Sequence, residues 1–203
     1  VALSPWSVQE MYDLSIRAFN VAERLRLPVF LMADEAVGHL HETAEFHDRF
    51  TREERDRRGG LPPCGHPEPG GVPPMPRFGD GENLMVTGST HDERGYRRVE
   101  EAAVHARLVE RLRQKVLLRR DELVDVERHM LDDAETVIVA YGFTARGALA
   151  AARELRARGR KVGLLRLRTL WPFADKEVAA RDGRVRRLFV PEMNHGQVAG
   201  EVR

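Results

Sequence analysis

The sequence predicts an α/β protein whose last third is half of a doubly wound domain, and three observations carry that prediction. Short apolar runs rich in β-branched residues stop at glycine or proline. Helical stretches rich in Ala, Leu and Arg lie between them. Strand and helix alternate at a spacing that implies parallel pairing with right-handed crossovers.

In chain order, Ser7 and Glu10 form a capping box: the Ser7 hydroxyl can accept from the Glu10 N–H while the Glu10 carboxylate reaches back to Ser7. Met11, Leu14, Ala18, Ala22 and Leu25 then recur at helical steps, one apolar face. Pro28 breaks that helix, and 29–33 is a continuous apolar run suited to a buried parallel strand. Asp34 and Glu35 stand at its carboxyl end, where open α/β sheets bind ligands. They read either as a polar contact to a cofactor or as a cap of the next turn.

Residues 51–58 are dense in charge and read as a solvated turn. Residues 59–83 are dominated by proline and glycine, which hold neither a helix nor a central strand, so this is an irregular connection. Cys64 and His66 lie in it as loop residues, with too few neighbouring ligands for a metal site. The polar segment 87–95 (TGSTHDERG) gathers His91, Asp92, Glu93 and Arg94. These read as an anion or partner site, or as local caps and ion pairs before the next helix. That helix is expected over 98–127, with Ala102, Ala106, Val109, Leu112 and Val116 as a narrow apolar stripe, in the manner of a connecting or subunit-facing helix.

A strand follows at 137–140, then a helix at 145–157 with Thr144 at its N-cap and Gly159 as its stop. A second strand is expected at 162–167, a weaker helix at 175–180, a third strand at 187–190 and a helical start at Gln197. Parallel pairing gathers the loops 141–146, 170–173 and 191–197 at one sheet edge. Gly142 opens a helix N-terminus there and Arg146 adds charge, so an anion could sit at that edge. The glycine spacing is neither a dinucleotide fingerprint nor a P-loop. Domain limits are expected at 1–42, 43–130 and 131–203.

The composition, 42% hydrophobic and 32% charged, is that of a globular protein with a real core. Its 33 basic and 32 acidic residues are interspersed, which gives no field for steering onto nucleic acid. No run approaches the roughly 20 apolar residues of a membrane span, and no signal segment opens the chain; both point to the cytoplasm. The single cysteine excludes an iron–sulfur cluster held by this chain, because such a cluster takes four thiolates. Val1 at the start and a barely begun last helix suggest a piece of a longer subunit.

Four stretches together resemble one family: 1–10 (VALSPWSVQE), 87–95, 139–146 (VAYGFTAR) with 163–173 (GLLRLRTLWPF), and 190–197 (VPEMNHGQ). The chain resembles the alpha subunit of 2-oxoacid:ferredoxin oxidoreductases of the 2-oxoglutarate synthase type, over nearly its whole length except the insert 49–70. The resemblance implies the end of a thiamine-diphosphate-binding (pyrimidine) domain followed by a transketolase C-terminal-like parallel-sheet domain. It implies oxidative decarboxylation of a 2-oxoacid with coenzyme A, giving acyl-CoA, carbon dioxide and reduced ferredoxin. Thiamine diphosphate, Mg2+ and an iron–sulfur cluster would be held by or shared with a beta subunit.

The family's substrate loop, cofactor-activating glutamate and substrate arginine lie upstream of Val1, so no catalytic residue is assigned here. Tyr141, Gly142, Thr144, Arg146, Glu192, Asn194 and Gln197 match motif positions and are ligand or interface candidates, together with Asp34, Glu35, His91, Asp92 and Arg94. Phe143 and His195 depart from the pattern, which puts a small serine and an aliphatic residue there. Two other classes stay open: a non-catalytic assembly module that docks a catalytic partner, and a transketolase or 2-oxoacid dehydrogenase beta-type C-terminal domain. Segment 87–95 argues against the last, being a feature of the ferredoxin enzymes.

Overall fold

A computed structural model describes residues 1–180 and 183–203. The chain runs β1 (Ala2–Leu3), α1 (Val8–Leu25), β2 (Phe30–Leu31), α2 (Glu35–Gly38), α3 (Ala102–Leu117), α4 (Arg120–Leu123) and β3 (Val126–His129). It continues through β4 (Thr136–Ala140), α5 (Gly142–Ala157), β5 (Val162–Leu167), β6 (Thr169–Trp171), α6 (Asp175–Ala179), β7 (Arg187–Phe189) and α7 (Gln197–Val202). These elements gather into two compact units. One is Val1–Ala18, Val29–Phe50 and Glu122–Arg203; the other is Phe19–Pro28 with Thr51–Asp121.

The first unit holds a four-stranded sheet in the order β3-β5-β4-β7 and a three-stranded sheet in the order β2-β1-β6. β4 pairs parallel with both β5 and β7, as the alternation of strand and helix requires. Successive side chains along a strand point to opposite faces. Val137, Val139, Leu165 and Leu167 therefore enter one core with Phe173, Val178 and Val198, while Ile138, Ala140, Val162 and Leu164 enter the other. α5 covers that second face through Ala145, Ala148 and Ala152, small residues that let helix and sheet approach closely. Gly163 is glycine for a similar reason: a Cβ there would stand 2.6 Å from the Met130 carbonyl oxygen.

Several expectations are corrected here. The stretch 98–127 is not one helix: α3 ends at Leu117, and β3 pairs antiparallel with β5, which makes the sheet mixed. β3 (Val-Glu-Arg-His) has a single apolar residue and sets Glu127 opposite Arg166, so its strand character comes from its neighbour rather than its own pattern. β6, antiparallel to β1, was not expected at all. The run 29–33 yields only β2, parallel to β1, with Phe30 and Met32 more than half exposed. Thr144 is not the N-cap of α5. The helix starts at Gly142, Tyr141 holds the cap position, and the Thr144 hydroxyl donates back to the Tyr141 carbonyl at 2.7 Å. In the capping box, Ser7 Oγ accepts from Glu10 N at 3.2 Å as expected, but Glu10 reaches back to Trp6 N.

The second unit is built on the proline- and glycine-rich connection. Proline supplies carbonyls without N–H groups, so this loop cannot satisfy itself with a ladder. Cations satisfy it instead. Arg26 Nη1 donates to the carbonyls of Pro63, Pro73 and Pro74, Arg111 Nη2 to Cys64 O at 2.9 Å, and Arg119 Nη1 to Gly70 O at 2.9 Å. Lys115, 2% exposed, donates to Arg26 O at 3.0 Å. α3 is thereby turned over relative to expectation. It buries Val104, Lys115 and Val116, while Ala102, Ala106, Val109 and Leu112 of the apolar stripe are exposed.

Candidate functional site

In the first unit the carboxyl ends of β2, β4 and β7 meet. Gly142 begins α5 with φ at +53°, a backbone conformation that glycine adopts without strain. A Cβ there would stand 2.2 Å from Asp34 Oδ2. That carboxylate oxygen accepts from Phe143 N at 2.6 Å, so Asp34 supplies the helix N-terminus with its acceptor from far away in sequence. Arg146, one turn on, donates to the Trp6 carbonyl at 3.0 Å and pairs with Glu42 at 2.7 Å. Glu42 also accepts from Val8 N at 3.0 Å, and that bond with Arg146 holds its carboxyl below the ordinary glutamate value.

Tyr141 donates to Glu192 Oε2 at 3.0 Å and accepts from Asn194 Nδ2 at 2.5 Å. Burial, then the Glu192 carboxylate, pushes the Tyr141 hydroxyl up to about 12. Glu192 accepts as well from Ala199 N at 2.9 Å and Val198 N at 3.2 Å in α7. Burial pushes the Glu192 carboxyl up, but these donors outweigh it and leave it below the ordinary value. Asn194 Oδ1 accepts from Gly196 N at 2.9 Å, and the Gln197 N–H points to the same oxygen at 3.4 Å.

The structure thus brings together Asp34, Tyr141, Gly142, Thr144, Arg146, Glu192, Asn194 and Gln197, and leaves four predicted residues apart. Glu35 is exposed on α2, with only His39 at 4.0 Å. His91, Asp92 and Arg94 lie in the second unit. There Asp92 accepts from Arg94 N and Tyr96 N, both at 3.0 Å, and pairs with Arg98 at 3.3 Å. His91 Nδ1 lies 2.8 Å from Ser89 O. Local capping describes His91 and Asp92; the Arg94 guanidinium has no partner among the described residues.

One cluster in the first unit escaped the sequence reading. Arg166, next to the last residue of β5, is fully buried. Its Nη1 donates to Glu10 Oε1 and Glu127 Oε2, both at 2.9 Å, and its Nη2 to Glu10 Oε2. The guanidinium lies 3.7 Å over the Trp6 ring, a cation–π contact. Arg168 pairs with Glu10 at 3.2 Å and Asp125 at 3.3 Å, and Asp125 with Arg17 at 2.5 Å. The available signal was an arginine inside a strand otherwise apolar enough to be buried on both faces.

Chemically, each of these carboxylates is committed. Asp34 and Glu192 cap helices, Glu42 and Glu10 are ion-paired, and no nucleophile–base pair is assembled among the described residues of this network. Among the described residues no group of three or more His, Cys, Asp or Glu side chains is placed to hold a metal ion. No helix among them is long and apolar enough to cross a membrane. The strand-end network joins segments instead: it ties 1–18 and 29–50 to the sheet that carries α5 and α7.

Comparison with known proteins gives two adjacent family matches. Residues 1–111 match the thiamine diphosphate-binding domain of pyruvate flavodoxin/ferredoxin oxidoreductases, and residues 134–203 match core domain II of pyruvate:ferredoxin oxidoreductase. The whole chain aligns with the 2-oxoglutarate synthase subunit KorA of Methanothermobacter thermautotrophicus at 44% identity and with that of Methanocaldococcus jannaschii at 45%, covering 54% of each. The chain therefore spans about half the length of the curated relatives it matches. The fold is that of a solved 2-oxoglutarate:ferredoxin oxidoreductase from Magnetococcus marinus with 2-oxoglutarate, coenzyme A and succinyl-CoA bound. The TM-score is 0.88 at 23% identity, over the whole chain and 36% of that one.

Proposed function

The chain belongs to the 2-oxoacid:ferredoxin oxidoreductase family, and from that premise we propose that it is part of the alpha subunit of an enzyme that oxidises 2-oxoglutarate. The reaction is oxidative decarboxylation with coenzyme A to succinyl-CoA and carbon dioxide, with ferredoxin taking the electrons. The observation that carries this reading is the alignment of the whole chain to two 2-oxoglutarate synthase subunits at 44% and 45% identity. Thiamine diphosphate supplies the carbanion chemistry when bound.

Among the described residues no group of three or more His, Cys, Asp or Glu side chains is placed to hold the Mg2+ of the diphosphate. Asp34, Glu42 and Glu192, the acids of the strand-end network, already hold backbone N–H groups, Arg146 and the Tyr141 hydroxyl. No catalytic step is derived through them. In this reading the beta subunit holds the diphosphate, Mg2+ and an iron–sulfur cluster, and the assembly works in the cytoplasm. Residues 1–42 close the pyrimidine-binding domain, 43–130 connect, and 131–203 form the transketolase C-terminal-like domain. Asp34, Gly142, Arg146 and Glu42 hold the first of these segments to the last, so that the cofactor pocket keeps its shape.

The test is purification of the parent subunit with its partners, followed by thiamine diphosphate and iron analysis and viologen reduction. Reduction that requires both 2-oxoglutarate and coenzyme A is expected. A stable complex without thiamine, iron or that activity would sink the reading in favour of an assembly module, and activity only on branched-chain 2-oxoacids would correct the substrate.

A further inference from the structure

The second unit contains a cavity of about 620 Å³, a size that suits a small organic ligand. It is lined by Cys64, Arg94, Arg107 and Arg111 among others. The guanidinium groups of Arg94 and Arg107 are exposed and have no ion-pair or hydrogen-bond partner among the described residues. Arg111 spends Nη2 on the Cys64 carbonyl, while its Nη1 is buried without any acceptor. A buried donor left unmet is costly, so this atom marks a place where an acceptor is missing.

The acids on the same wall do not cancel this charge. Asp92 is taken by Arg98 and two backbone N–H groups, and Glu110 by Gln114 at 2.6 Å and Arg113 at 3.4 Å. Glu93 remains to face Arg111, and Glu68 lines the opening. Next to Arg111, the side chains of Lys115, Arg26 and Arg119 are all bonded to backbone carbonyls, none to a carboxylate. Burial, followed by repulsion from Arg111, Arg26 and Arg119, pulls Lys115 down to about 8.

We infer that this cavity binds an oxyanion-bearing small molecule, with Arg94 and Arg107 gripping it at the opening and Arg111 answering from the wall. Guanidinium forks match phosphate and carboxylate oxygens alike. Arg111 Nη1 is shielded as it stands, so its part requires a turn of the guanidinium toward the opening. The inference does not depend on the proposed reaction, because the cavity uses none of the strand-end residues.

The test uses the intact, thiamine-loaded enzyme with pyrophosphate and citrate as separate probes. Calorimetric titration compares the wild type with the double variant Arg94→Ala/Arg107→Ala. Both side chains are exposed and unpaired, so the melting temperature should not change. Alkylation of Cys64, followed by mass spectrometry of its peptide, reports occupancy of the cavity itself. The expected result is a dissociation constant below about 1 mM for at least one probe, weakened tenfold or more in the double variant, with Cys64 alkylation slowed severalfold by the bound probe. Tight pyrophosphate with weak citrate assigns a phosphate ligand, and the reverse a polycarboxylate. Failure of both probes to bind at 10 mM, or binding and Cys64 protection that survive in the double variant, would overturn the inference. Should Cys64 resist alkylation altogether, the calorimetric difference alone decides.

Discussion

Each unit buries a cation, and the two do so by opposite means. Arg166 is met by carboxylates: Glu10 and Glu127 take its N–H groups, and Trp6 covers its face. Lys115 is met by dipoles: it donates to the carbonyl of Arg26, and three arginines crowd it without an acid between them. A carboxylate partner compensates the charge of a buried guanidinium and fixes two segments against each other. A carbonyl partner satisfies a backbone acceptor without neutralising the cation, and burial above all, then repulsion from the neighbouring arginines, lowers the pKa of Lys115.

The largest effect should come from breaking the matched cluster. Glu10→Ala removes the main partner of Arg166 and one of Arg168, and should cost about 3–5 kcal/mol in denaturant unfolding. The double variant Glu10→Leu/Arg166→Met should recover most of that loss, since a packed apolar pair replaces a buried ion pair at little cost. If the double variant is no better than the single, the cluster is not behaving as an ion pair and the comparison fails. Next, Arg26→Ala frees the carbonyls of Pro63, Pro73 and Pro74. It should cost about 1.5–3 kcal/mol, with faster amide exchange confined to the loop and its flanks.

Lys115→Met sharpens the contrast further, because it removes a repelled charge together with one hydrogen bond. The change at pH 7 should stay within about 1 kcal/mol. The wild type should also gain stability as pH rises from about 8 towards 10.5, because there the unfolded chain binds the proton that the folded Lys115 has lost. A flat pH profile, or one unchanged in Lys115→Met, would contradict this account. Tyr141 has the opposite sign. Its folded value of about 12 lies above the ordinary 10, so its contribution is complete below pH 10 and fades as pH climbs through 12. Tyr141→Phe should remove that decline and cost about 1 kcal/mol at neutral pH.

The sequence carried the parts of the molecule whose cause is local. β4, β5 and α5 are written in apolar runs, small helix residues and glycine stops, and the strand-end loops follow from their pairing. The parts it hid have distant causes. Asp34 caps a helix more than a hundred residues away, so Thr144, the nearer hydroxyl, looked like the cap. β3 is a strand because β5 lies beside it. α3 buries Lys115 instead of its alanine and leucine stripe because Lys115 answers the carbonyl of Arg26, far away in sequence, and periodicity counts apolar residues without counting acceptors. The acid that answers Arg166 sits in a capping box, a motif that explains Glu10 fully without ever pointing to a second role.

The bond from Asp34 to Phe143 closes a chain loop of 109 residues with one short hydrogen bond, and most of the second unit lies within that loop. Closure entropy grows only with the logarithm of length, about 0.6 kcal/mol for each doubling. The clasp is therefore almost indifferent to how much chain hangs from it. Insertions and deletions within 51–101 should cost the first unit little, leaving Asp34 and Gly142 in register.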